Sequence, residues 1–529
     1  MYLDRFGVFL LIFSIVFSFF YSFGYELDCS QYDYLFYMHL VSEANYADDT
    51  MFEGTLFFYK PLGLLFGNSF WLWQRLHWLI NLFIISIPYI FLLNTKQKKQ
   101  LAFVQALAIL LFCVGRCGCE PPRIVLLCAV SAISFFIKYA KSHDSRLVWI
   151  ISMLLAFIAF SRFPSLFVYP LFVVAFFFVA ESKKDIILII CLPLLIFTIL
   201  VTLINGDVFT YFNYLKNNVS NTSSASPSHS ILNIFMSEVD SLCQLFYFFI
   251  IVLVPFLLFT WKKKNTKWGF VSLVIVLYVM ELIRVNPIPR WACAITMALS
   301  LFYLMENRYS FSSLAKVLLI MFVPMMASVG SNCGFYYDYV SVAFIPYLAI
   351  NVQSIKNRSE CYSFRNILFH SNIEGVLPAL VLVVVTLFCS NLIVRFKNIY
   401  GTYYANGTID VVNAGVLSPN IKYVYFSSQT LTPYLEAEKD YLKLSKNREV
   451  IFWGMDAHIM SFINDKWPIT RLWKVSSIDG DNVAMYDLEK YAKSYRPVVI
   501  DMEDNKNTFD LLSSLGYQRI KTKYYSLYK

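Results

Sequence analysis

The residues best placed to do chemistry form an acidic stretch near the start of the chain. It holds Glu26, Asp28, Asp33, Glu43, Asp48, Asp49 and Glu53, and its one cation is Lys60, in Tyr59-Lys60-Pro61-Leu62. Carboxylates crowded this way supply a general base for a hydroxyl, or oxygen ligands for a divalent metal. The bland alternative is a solvated loop. Against it, the residues between the acids are aromatic and apolar, Tyr34, Leu35, Tyr37 and Met38 among them, as in a loop that packs on something.

A second group is cationic. Arg162 lies in Ser161-Arg162-Phe163-Pro164, between two apolar runs. Arg284 and Arg290 flank Asn286-Pro287-Ile288-Pro289, a rigid turn. Arginine suits bidentate contact with a phosphate. The alternative for each is interfacial anchoring, with the aliphatic stem in lipid and the head in water. His39 and His77 have no second histidine at ligand spacing and read as core residues. Cys117-Gly118-Cys119 lacks the second pair a zinc site needs.

The elements that must position these groups are membrane helices. The chain of 529 residues is 58% hydrophobic and 15% charged, and its mean hydropathy is +0.56. A soluble protein carries about 25% charged residues. Runs near the roughly 20 residues a span requires cover 7–24, 70–93, 101–115, 123–139, 147–161, 164–180, 185–204, 242–260, 268–285, 291–305, 315–330, 339–351 and 372–394. The expected fold class is a polytopic α-helical membrane protein of about 11–13 transmembrane helices.

Basic residues set its orientation. Lys96, Lys98 and Lys99, then Lys138, Lys141 and Arg146, then Lys183 and Lys184 all fall on one side of an alternating path. Lys262 to Lys267, Arg308 with Lys316, and Lys356 to Arg365 fall there too. Retained Lys and Arg mark the cytoplasmic side. They also account for the net charge of +9 without any nucleic-acid partner. The loop 25–69 and everything from Arg395 then lie outside. The tail 395–529 alternates strand-like runs (Lys422–Phe426, Glu449–Trp453, Pro497–Ile500) with helical ones (Met455–Ile463, Asn507–Leu515). It is expected to form an extracytoplasmic α/β domain, following a membrane domain over 1–394.

This order of elements resembles the GT-C superfamily of membrane glycosyltransferases, especially the protein O-mannosyltransferases and the aminoarabinose transferase of lipid A. Asp33 and Tyr37 are similar to the acid and tyrosine of that family's first outer loop. Lys60-Pro61-Leu62, Gly67-Asn68-Ser69, Arg75 and Ser161-Arg162-Phe163-Pro164 match its later elements. Tyr34 stands where the family pattern has a second acid, so either Asp33 works alone or Asp48 or Asp49 completes the pair.

The resemblance implies a sugar donor on a polyprenyl phosphate, a glycan, lipid or protein acceptor, and a site at the outer face of the cytoplasmic membrane. It makes Asp33 the base, with Asp48 and Asp49 as alternates. It makes Tyr37, Lys60, Arg162, Arg284 and Arg290 substrate-binding. No cofactor is assigned, and a divalent metal stays an open alternative. Rival readings are a polysaccharide polymerase or ligase, a lipid-linked glycan flippase, and a non-catalytic assembly protein.

Overall fold

The computed structural model describes residues 2–21, 53–66, 69–113, 122–213, 310–328, 339–353, 408–422, 424–454, 457–464 and 482–529, with isolated positions between them. The expected spans 268–285 and 372–394 lie outside the described residues, as does most of 242–260 and of 291–305.

The helical part contains α1 (Tyr2–Tyr21), α2 (Glu53–Phe66), α3 (Phe70–Leu92), α4 (Thr95–Cys113), α5 (Pro122–Ser142) and α6 (Ser145–Ser161). It continues with α7 (Val168–Val179), α8 (Lys183–Asn205), α9 (Phe311–Ser328) and α10 (Ile345–Gln353). Among the described residues three segments, Trp71–Leu92, Arg123–Ser142 and Lys183–Asn205, are long and apolar enough to cross a membrane. Shorter apolar helices accompany them.

Several helices outrun the apolar stretches because polar flanks cap them. Asn94 and Gln97 exchange side-chain and backbone bonds of 3.0 Å at the start of α4, a reciprocal capping box. That cap carries the helix through Lys96, Lys98 and Lys99. Asp144 caps α6 and Ser182 caps α8 by accepting backbone N–H bonds.

Contacts sort the helices into two ends. At one end His143 Nε2 lies 3.5 Å from Glu181. There too Tyr139 donates to Asp185 at 2.8 Å, and Phe178 stacks on Phe311 at 5.6 Å. Lys141 lies 5.5 Å from the Tyr347 ring centre. At the other end Arg75 donates to the Phe19 carbonyl at 2.8 Å, and Phe163 meets Tyr211 at 6.1 Å. Successive helices from α3 to α8 therefore alternate in direction. The basic connections Lys96 to Lys99, Lys138 to Arg146 and Lys183 to Lys184 gather at the first end.

In the tail β1 (Tyr404–Ala405) pairs with β2 (Thr408–Ile409), and β3 (Val412–Asn413) with β4 (Tyr425–Phe426). A four-stranded sheet follows in the order β5-β6-β8-β7. Its strands are β5 (Val450–Trp453), β6 (Val498–Asp501), β7 (Arg519–Lys521) and β8 (Ser526–Tyr528). β5 and β6 are parallel, and the other pairings are antiparallel.

Both faces of β5 and β6 are buried, as for strands with helices on each side. Phe452 packs 5.1 Å from Tyr441 of α11 (Ser428–Leu444), near α12 (Ala457–Ile463). On the opposite face Trp453 and Val499 join Leu488 of α13 (Asn482–Tyr495) and Leu512 of α14 (Lys506–Ser514). Gly454 ends β5 at φ +97°, where a Cβ would sit 3.1 Å from the Glu503 backbone nitrogen. Only glycine fits that turn without strain. The Pro419–Ile421 turn packs against α3 and ties the tail to the helices.

Asp501 closes β6 with its side chain fully buried. Burial pushes its carboxyl up to about 7, against the backbone N–H groups of Glu503 and Asp504, which donate to Oδ1 at 3.1 and 3.3 Å. The folded value lies above the unfolded one, so the stability from this group is full below about pH 4 and is lost as the pH rises through 7. Hydrogen-exchange protection of the β6 amides, corrected for intrinsic pH dependence, should fall across that window. Asp501→Asn keeps the acceptor oxygen and should flatten the profile; an unchanged profile would contradict the assignment.

Candidate functional site

α6 stops because of Pro164. A proline ring in a continuing helix would collide with the carbonyl four residues back, that of Phe160. The chain instead extends at Arg162 (φ −158°, ψ 103°) and re-enters a 3-10 turn over Phe163–Phe167, with proline in its first turn. Pro164 therefore creates a helix end inside the bundle, and helix ends leave carbonyls without intrahelical partners.

Three elements close on that end. Arg162 is 4% exposed. Its Nη1 donates to the Ala327 carbonyl in the last turn of α9 at 3.1 Å and to Ser165 Oγ at 3.3 Å. Ser165 Oγ donates to the same carbonyl at 2.8 Å. From the other side Thr55 Oγ1, on α2, donates to the Ser161 carbonyl at 2.9 Å. Phe57 meets Phe160 edge-on at 6.3 Å. Each bond satisfies a terminal carbonyl in surroundings where an unsatisfied one costs about 1–3 kcal/mol. A guanidinium at a helix C-terminus also complements the macrodipole. Arg162 is thus turned inward, and interfacial anchoring does not describe it.

A buried polar face lies alongside. Tyr59 of α2 packs 5.7 Å from Trp73 and 5.5 Å from His77. His77 and Asn81 are fully buried, so His77 is a core histidine as its setting in the sequence implied. Arg123 opens α5, is 3% exposed, and lies 5.7 Å from the Phe112 ring centre.

Of the residues expected to act, the structure positions Arg162, and it places Lys60 on α2, the helix that Thr55 fastens beside Arg162. Asp33, Tyr37, Asp48, Asp49, Arg284 and Arg290 lie outside the described residues. Among the described residues no cluster of three His, Cys, Asp or Glu side chains could hold a metal ion.

Thr55, Ser165 and Arg123 escaped the sequence reading. Arg123 carried a signal, a cation opening an apolar run on the side poor in basic residues. Thr55 and Ser165 carried none, because a hydroxyl that bonds a distant carbonyl leaves no local pattern.

No protein-family model matches the chain, and no curated protein matches it. Among solved structures it is similar to a crystal structure of the Archaeoglobus fulgidus oligosaccharyltransferase in complex with Zn and sulfate. The TM-score is 0.43 and the identity 12%, over 97% of this chain and 72% of that one.

The capping bond at α9 predicts a stability loss on truncation. Arg162→Ala should destabilise the purified protein by about 1–3 kcal/mol. Arg162→Lys should cost less, since an ammonium still reaches one acceptor but lacks the planar fork. Thermal unfolding in detergent measures both, and equal midpoints for wild type and Arg162→Ala would rule the bond out.

Proposed function

We propose that the protein is a membrane glycosyltransferase. It moves a sugar from a polyprenyl-phosphate donor to a glycan, lipid or protein acceptor at the outer face of the cytoplasmic membrane. The observation that carries the reading is the junction at the end of α6. The sequence elements Lys60-Pro61-Leu62 and Ser161-Arg162-Phe163-Pro164 lie about a hundred residues apart, yet α2 packs on α6 and Thr55 bonds the residue before Arg162. The exit of the acidic loop and the buried guanidinium therefore belong to one locality. The basic connections lie at the opposite end of the helices, which supports an outward-facing site.

The chemistry asks little of the protein. A phosphate leaves readily, so the donor needs no acid. A carboxylate of the loop, Asp33 in our reading with Asp48 or Asp49 as alternates, takes the proton of the acceptor hydroxyl as its oxygen attacks the anomeric carbon. The bond from that carbon to the phosphate oxygen breaks, and the pair of electrons leaves with the phosphate. Lys60, Arg162, Arg284 and Arg290 supply positive charge for the departing oxygens. Tyr37 is a further substrate-binding candidate of the loop. Anchoring through Nη1 fixes the plane of the Arg162 fork, which bidentate contact with a phosphate requires.

Purified protein in vesicles, given polyprenyl-phosphate sugars, tests the reading. Asp33→Asn should reduce transfer by about 100-fold or more while the protein stays folded and inserted. Asp48→Asn and Asp49→Asn run beside it; loss in either alone moves the base within the same loop. Full activity in all three removes the loop from catalysis. Topology has its own check. A reporter fused at residue 400 should be active only as a periplasmic-type fusion, and a cytoplasmic-type signal there would sink the outward-facing site.

A further inference from the structure

Thr55 of α2 donates a hydrogen bond to α6, and the chemistry of that bond gives it a particular job. α2 leads directly out of the acidic loop. Thr55 Oγ1 is buried and meets the Ser161 carbonyl at 2.9 Å across 106 residues of sequence. Ser161 is the last helical residue before Arg162. On its other side the Arg162 N–H still donates to the Ile158 carbonyl at 3.1 Å, and its side chain reaches Ala327 and Ser165. The backbone on which Arg162 turns is therefore held at two points. One is the last bond of α6, and the other is the hydroxyl of Thr55.

Phe57 sits two residues further along α2 and is half exposed, while its ring meets Phe160. That ring contact is apolar and without direction, so it holds α2 near α6 but does not fix the Ser161 carbonyl. A hydrogen bond does fix it, because its strength falls steeply with angle. Removing the donor leaves a buried carbonyl that must turn to find another. A turn at Ser161 swings the next residue, Arg162, out of line with Ala327.

We propose that Thr55 is a positioning residue that fixes the Arg162 guanidinium from the exit helix of the acidic loop. The inference rests on the proposed role of Arg162 for its effect on catalysis, but not for its effect on geometry.

Two measurements separate these. The first is modification of Arg162 by phenylglyoxal, read by mass spectrometry on the full chain in detergent, with exposed Arg146 as the internal standard. Thr55→Val keeps the shape and loses the donor, so it should raise the Arg162 rate about tenfold. Thr55→Ser keeps the donor and should stay near wild type. An unchanged Arg162 rate in Thr55→Val, or equal rates in the two variants, overturns the proposal.

The second is transfer from a polyprenyl-phosphate sugar. Thr55→Val should lower kcat/KM about tenfold, with kcat falling, because the displaced cation serves the departing oxygens. In an Arg162→Lys background Thr55→Val should add little. If modification rises while Arg162→Lys transfers sugar normally, the positioning stands and the phosphate role of Arg162 falls. If modification is unchanged while Arg162→Lys loses transfer, the phosphate role stands and Thr55 is overturned.

Discussion

A buried helix end is the constraint on which this site is built. Pro164 forces α6 to stop within the bundle, and in apolar surroundings the freed carbonyls have no water to turn to. Thr55 answers that need at the Ser161 carbonyl, and Arg162 with Ser165 does the same for Ala327 at the end of α9. Because the donors come from α2, the 3-10 turn and the residue that ends α6, satisfying the carbonyls fixes where those elements sit. Function, in the reading proposed, uses a geometry that hydrogen-bond satisfaction had already made obligatory.

Local chemistry was legible in the sequence where it repeats or punctuates. The apolar runs marked α1 and α3 to α9, and Ser161-Arg162-Phe163-Pro164 marked the break. Gly516, at φ +81°, follows α14 as a C-cap glycine does. β5 and β6 were visible as continuous apolar runs because helices cover both their faces.

What could not be read depends on partners far along the chain. β7 and β8 are three residues each, Arg519-Ile520-Lys521 and Ser526-Leu527-Tyr528, too short and polar to stand out. They are strands because β8 pairs with β6 inside the sheet and β7 pairs with β8 at its edge. α11 and α13 have apolar stripes diluted by Glu, Lys and Tyr, and only the sheet between them reveals which face is buried. Thr55 is the extreme case, a hydroxyl whose whole role is one bond to a residue 106 positions away.

The magnitudes at Arg162 also say what the rest of the site must contain. A helix C-terminus carries about half a negative elementary charge. Arg162 bonds the last turn of α9, so one such terminus faces its guanidinium and offsets about half of its charge. In the reading proposed, Arg162 therefore brings shape and donors to a phosphate together with only part of its charge. A departing phosphate in that reading calls for further cations beside this partly offset one. That is the part Lys60, Arg284 and Arg290 take in the same proposal.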